Sequence, residues 1–213
     1  MLKIRRTQGF SLIELMIGLA VLSMLLLLGV PAFSTVLQNM KLRSSAENFV
    51  AGMQLARAEA VRRNTQVEIL LTDDDANGVN AVTTAYSPTG RTWIVRAVSG
   101  GVLKALDYKL GYEGEGSMST PAVKMSGSTD AGATPVSSVV FDGFGIGYNG
   151  SNGVKATLTA PIVFQFTNPV GGACAPAGPM RCLNVTVSMS GGKVRMCDPA
   201  VNTVTSPGDS RAC

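Results

Sequence analysis

The chain has 213 residues, 46% of them apolar and 15% charged, which suits one globular domain with an anchor and leaves little room for two sizeable domains. It contains no histidine, so the commonest general base and the commonest transition-metal ligand are both missing; an enzyme is a poor reading, and no metal or cofactor is expected. The formal net charge is +4, but Lys3, Arg5 and Arg6 carry most of the excess; without them 15 Lys and Arg face 14 acidic residues, and global charge gives no argument for a nucleic-acid partner.

Residues 1–9 form a basic opening that ends in Gly9. Phe10-Ser11-Leu12-Ile13-Glu14-Leu15 follows, then an apolar run to Val30 in which Glu14 is the only charge. At about 1.5 Å per residue, residues 12–30 come close to crossing a hydrocarbon core of about 30 Å, so they are read as a membrane-spanning helix. The basic cluster would stay cytoplasmic, with everything after Val30 outside. An ordinary secretory signal cut near Val30-Pro31-Ala32 fits less well, because the apolar run is too long and a disposable signal has no use for a carboxylate. Burying Glu14 in a bilayer costs about 3 kcal/mol on insertion scales, so it is read as a functional residue that needs a partner.

A basic leader, Gly9, Phe10, Glu14 and a spanning helix together resemble the class III signal of type IV prepilins. The resemblance implies that prepilin peptidase cuts between Gly9 and Phe10 and that the new N-terminal Phe10 is methylated. Glu14 then falls at the fifth mature position, where the family carries its assembly glutamate, thought to neutralise the N-terminal amine of a neighbouring subunit. Such a buried pair sets axial register more than it adds stability. The resemblance also implies a single-pass inner-membrane protein with its head in the periplasm, later part of a pilus or secretion pseudopilus. Its partners would be other pilin subunits and the inner-membrane assembly platform.

Pro31 removes a backbone donor at the end of the apolar run and predicts a kink there. The domain plan is a leader at 1–9, an assembly helix at 10–35, an amphipathic helix at 36–64 and a β-rich head at 65–213. Within the second helix Leu42, Ala46, Phe49, Met53, Ala56 and Ala60 recur every three or four residues, while Arg43, Glu47, Gln54 and Arg57 lie off that stripe, so one face is expected to pack on a sheet. The order of residues 55–64, leading into Gln66-Val67-Glu68-Ile69-Leu70, is similar to the GspH/FimT branch of minor pilins and pseudopilins. A basic last turn that suits the helix macrodipole accounts for the composition of this stretch, though not for its order.

Beyond Asn64 short β-type runs alternate with turns, at 67–71, 92–98, 102–110, 136–141, 162–166, 183–189 and 193–196. The expected fold class is α+β, a pilin fold with a long kinked helix packed on an antiparallel sheet or two. Residues 111–135, rich in Gly, Ser, Thr and Ala, read as an exposed loop. Asp73-Asp74-Asp75-Ala76-Asn77-Gly78 opens like a calcium loop but has Thr84 where a bidentate Glu is needed, and Gly143-Phe144-Gly145-Ile146-Gly147 reads as a turn and not a phosphate loop.

All four cysteines, Cys174, Cys182, Cys197 and Cys213, lie in the last 40 residues, which suits two disulfides in an oxidising compartment. Three pairings exist; short loops that do not nest favour Cys174 with Cys182 and Cys197 with Cys213. DNA binding, known on the FimT side of the family, would draw on Lys193, Arg195 and Arg211. Here Asp209 stands where a second arginine would be wanted, which argues against nucleic acid as a partner. The leading expectation is a minor pilin of a type IV pilus, with a type II secretion pseudopilin and a DNA-binding minor pilin as alternatives.

Overall fold

The computed structural model describes residues 11–73, 85–109, 123–129, 134–151, 154–157, 160–168, 172–188, 191–201, 204 and 206–213; the side chains of 28–32 and 151 are outside that description, as are Gly9 and Phe10. The chain forms two compact units, Met1–Leu37 and Gln38–Cys213. One helix, α1 (Leu12–Arg63), contributes to both.

In the first unit, Ser11 immediately precedes the helix and its carbonyl accepts the Leu15 N–H at 3.2 Å, which puts Ser11 at the N-cap. Leu12, Ile13, Met16, Ile17, Leu19 and Leu22 are all exposed, so this part of the helix is apolar on every side. A helix of that kind is stable only when lipid or other chains cover it. Among the described residues no helix is long and apolar enough to cross a membrane. The apolar run continues into 28–32, whose side chains are outside the description. The helix continues through Pro31 without a break.

The second unit is built on the remaining helix and two antiparallel sheets. Leu42, Ala46, Phe49, Met53, Ala56 and Ala60 are all buried, and together they form the inward stripe of α1. The helix ends because Asn64 adopts a left-handed conformation, φ 47°. The Asn64 N–H then donates to the Val61 carbonyl at 3.2 Å and the Thr65 N–H to that of Ala60 at 3.1 Å, a Schellman closure that turns the chain into the first strand.

Eleven strands follow among the described residues: β1 (Gln66–Thr72), β2 (Thr92–Ser99), β3 (Val102–Lys109), β4 (Lys124–Thr129), β5 (Thr134–Pro135), β6 (Ser138–Phe141), β7 (Gly147–Ser151), β8 (Val154–Ala156), β9 (Ile162–Thr167), β10 (Leu183–Val187) and β11 (Val194–Cys197). One sheet has the order β3-β2-β1-β6-β7-β8 and the other β11-β10-β9-β4-β5. The β2–β3 turn uses Gly100 and Gly101 at φ 57° and 80°, values that side chains resist and a tight hairpin requires.

Alternation along the strands sends one set of side chains to a shared core. Val67, Ile69 and Leu71 of β1, Trp93 and Val95 of β2, Ile162, Phe164 and Phe166 of β9 and Val185 of β10 join the helix stripe in one cluster. Phe49 sits at its centre, with ring centroids 4.9 Å from Phe164, 5.6 Å from Phe166 and 6.3 Å from Trp93, so one helical side chain touches both sheets.

Two expectations need correction. Residues 124–129 are not exposed loop but β4, a strand with neighbours on both sides in the second sheet, and β5 lies in the same stretch. Composition misleads there because the inward positions are Met125 and Gly127, and Gly127 leaves room for the Phe164 ring beside its Cα. The other residues of 111–135, apart from Val123, lie outside the description. Secondly, β6 starts at Ser138 and not at Val136, whose N–H donates to Gly127 in the other sheet at 2.9 Å. Strands β7 and β8 escape sequence patterns because Gly-Tyr-Asn-Gly-Ser has poor intrinsic strand preference and is held by pairing with β6.

Candidate functional site

Glu14 lies in the first turn of α1, three residues after the N-cap, where the positive end of the macrodipole favours a carboxylate. Its neighbours Ile13 and Leu15 are exposed hydrophobics, and among the described residues Glu14 has no partner. Glu14 is thus a carboxylate on an apolar helix surface. Gly9 and Phe10, the expected processing positions, lie outside the described residues.

At the other end of the chain both disulfides are formed, Cys174 with Cys182 and Cys197 with Cys213, and no cysteine is free. Cys174 and Cys182 close a loop of Pro and Gly that leads into β10. Cys197 ends β11, and its bond to the last residue draws the tail back: Asp198 bridges Ala212, and the Asp198 N–H donates to the Arg211 carbonyl at 2.7 Å. Ala212 is consequently buried.

This geometry brings Arg211 beside the end of β11, the strand that Lys193 precedes and Arg195 occupies. Lys193 and Arg195 are exposed at the edge of their sheet. Arg211 is spoken for: its Nε and Nη2 meet the two carboxylate oxygens of Asp209 at 3.1 and 2.8 Å. Those hydrogen bonds hold the Asp209 carboxyl down at about 2, while Asp209 first and Asp198 further off raise the guanidinium. Asp209 thus offsets the charge of Arg211.

Sequence reasoning missed two buried polar centres. Glu68 on β1 and Arg96 on β2 are opposite residues in the strand register, both 0% exposed, with Arg96 Nε 3.0 Å from Glu68 Oε2. The Tyr86 hydroxyl donates to Glu68 Oε1 at 2.8 Å and accepts from Arg96 Nη2, closing a triangle. Opposite charges at the same alternation phase of two apolar strands were the available signal.

The second centre is Asp142. Burial alone would raise its pKa, but the Ile146 and Phe144 amides, the Tyr148 hydroxyl and nearby Lys155 outweigh burial and hold it below the usual carboxylate range. Tyr148 is pushed up, by its own burial and then by donating to that carboxylate. Asp142 and Lys155, 3.6 Å apart, line an open cleft of about 490 Å³ between the end of α1 and the β2–β3 turn. A carboxylate so fully occupied organises the turn around it and is not poised as a base. Among the described residues no group of three or more His, Cys, Asp or Glu could hold a metal ion. The calcium-like run continues from Asp73 into residues outside the description.

Comparison with known proteins gives two family matches. Residues 4–30 match the prokaryotic N-terminal methylation motif, and residues 45–191 match the type II transport protein GspH family. No curated protein sequence matches at a significant level. Among solved structures, the type IV minor pilin FimU of Pseudomonas aeruginosa overlaps 72% of this chain and 90% of its own at 14% identity, with a TM-score of 0.45. The minor pseudopilin EpsH from the type 2 secretion system of Vibrio cholerae overlaps 76% and 99% at 11% identity, with a TM-score of 0.46. The GspH match spans well over half of the chain and the methylation motif precedes it; the chain belongs to the type II transport protein GspH family.

Proposed function

We propose that this protein is a minor pilin of a type IV pilus, released from its leader by prepilin peptidase between Gly9 and Phe10, methylated at Phe10, and assembled through residues 10–35. Before assembly that segment holds it in the inner membrane, with the head in the periplasm and the membrane assembly platform as its partner. Its role is structural and not catalytic. The observation that carries this reading is Glu14, a carboxylate without a partner among the described residues, on an exposed apolar helix that lies within the methylation-motif match. A charge so placed is tolerated in lipid or in a filament core only when paired, and the α-amine of Phe10 in a neighbouring copy is the partner the processing would create.

Mass spectrometry of the mature protein should find methylated Phe10 at the N-terminus; a chain starting at Phe33 would end this reading. Glu14→Ala and Glu14→Val should insert into membranes normally yet fail to enter filaments. Filament entry by both variants at wild-type levels would remove the charge pair.

The pseudopilin is the second reading, favoured by the description of the matching family itself. The tail pattern, Met196-Cys197-Asp198-Pro199 through Arg211-Ala212-Cys213, resembles the pilus branch instead. The two machines separate on deletion of the gene: loss of surface filaments with secretion intact marks the pilus, and the reverse marks the pseudopilus.

A DNA-uptake role draws little support from a tail in which Asp209 holds Arg211. Duplex binding weaker than micromolar is expected at physiological salt. A submicromolar affinity that collapses in Arg211→Ala would overturn that expectation.

A further inference from the structure

The head begins at Gln38, and a disulfide-closed loop meets the helix there. From Gly172 to Cys182 the chain folds back on itself. The Ala175 N–H donates to the Met180 carbonyl at 2.7 Å, the Gly178 N–H to that of Cys174 at 3.2 Å, and the Cys174–Cys182 bond closes the loop. Two of its backbone groups are directed at one helical side chain. The Asn39 amide donates to the Pro179 carbonyl at 3.4 Å and accepts the Arg181 N–H at 2.8 Å. One turn of loop is thereby recognised by a donor and an acceptor together, as a strand partner would recognise it. Beside it the Asn168 amide donates to the Gln38 side-chain oxygen at 2.6 Å. Further along the helix Leu42 is buried in the same cluster as Met180 of the loop.

We propose that the Cys174–Cys182 loop is a redox-sensitive clamp on the first helical turn of the head: the intact disulfide holds Asn39 to the loop, and its reduction releases Asn39 from it. The physical reason is loop entropy. Pro179 and Arg181 can address Asn39 together only while the short loop is closed, and an open chain loses that preorganisation. Cys174 is half-buried whereas Cys182 is buried, so Cys174 is the sulfur open to exchange. A dithiol thiolate attacks Cys174 Sγ and the Cys182 thiolate leaves and takes a proton. The second thiol of the reagent then displaces Cys174, also protonated, and the reagent ends as a cyclic disulfide.

The test uses the full chain in detergent micelles and reads hydrogen exchange over residues 36–42 and at the Arg181 amide. The Cys197→Ser/Cys213→Ser variant leaves Cys174–Cys182 as the sole bridge. Treating it with dithiothreitol should speed exchange at both places about tenfold, with reversal on reoxidation, while the buried stripe from Phe49 onward stays protected. Asn39→Ala in oxidised protein should reproduce the effect over 36–42 without any change in redox state, and Asn39→Asp, which keeps the acceptor for Arg181, should give a smaller one. Unchanged exchange over 36–42 on reduction, or in Asn39→Ala, would overturn the clamp. Equal acceleration throughout the head would do so as well, since it would mark general loosening.

Discussion

Glu68 and Arg96 show how a pair of charges survives in a core that excludes water. Each neutralises the other, Tyr86 occupies the remaining carboxylate oxygen, and among the described residues no buried side-chain polar atom is left unsatisfied. Removing one member leaves the other buried and uncompensated. Glu68→Ala should therefore cost about 3 to 5 kcal/mol in urea denaturation, whereas Glu68→Leu with Arg96→Met should cost far less, because an ion pair of this kind pays most of its attraction back in desolvation. Equal losses in the single and double variants would show that packing, not charge, is at stake. Asp142 adds a pH dependence. Its folded pKa is depressed, so its contribution is fully present above the unfolded value of 3.8 and is lost as the pH falls through the lower folded value. Asp142→Asn should lower Tm at neutral pH and flatten its decline on acidification below the ordinary carboxylate range; an unchanged acid limb would assign that decline elsewhere, to Asp209 and Glu59, both held at about 2 by arginines.

At the scale of elements, the helix stripe from Leu42 to Ala60 was readable as a period of three to four, since a helix can bury only the residues that its pitch places on one side. Its fit to the sheet was not readable, because that depends on what stands opposite. Gly52 is the clearest case: a Cβ there would come within 2.7 Å of the Trp93 ring, so the glycine exists to let the indole lie against the helix backbone. Gly52→Ala should gain about 1 kcal/mol in helix propensity and lose about 1 to 3 by overpacking, giving a net loss. Trp93 is the single tryptophan of the chain, so its fluorescence reports the displacement directly. In a Trp93→Leu background, followed by circular dichroism, the same substitution should become neutral or stabilising. A loss that persists there would mean that some other contact opposes the Cβ.

Taken whole, the molecule combines a helix that exposes its apolar surface with a head that has a core of its own. Among the described residues, all those clustered around Phe49 come from Leu42 onward, so that core is the head's own. A fragment that begins at Gln38 should be soluble, β-rich, cooperative in thermal unfolding and bridged at Cys174–Cys182 and Cys197–Cys213. A fragment with secondary structure but no cooperative transition would show that the head needs the rest of the helix.

The properties that the sequence determined by itself are those encoded over a few neighbouring residues. The methylation motif, the lone Glu14, the apolar run, the amphipathic stripe and the glycine turns all act through contiguous chain, and short loops favoured the observed cysteine pairs over the longer alternatives. Only the tertiary structure decided that the strands divide between two sheets, that residues 124–129 join the second, that Glu68 faces Arg96, and that Asn39 reaches a loop 140 residues away. Glycine, serine and single charges carry no pattern strong enough to announce a strand or a buried pair. Their placement follows from which neighbours the closed core brings against them, and those neighbours come from distant parts of the chain.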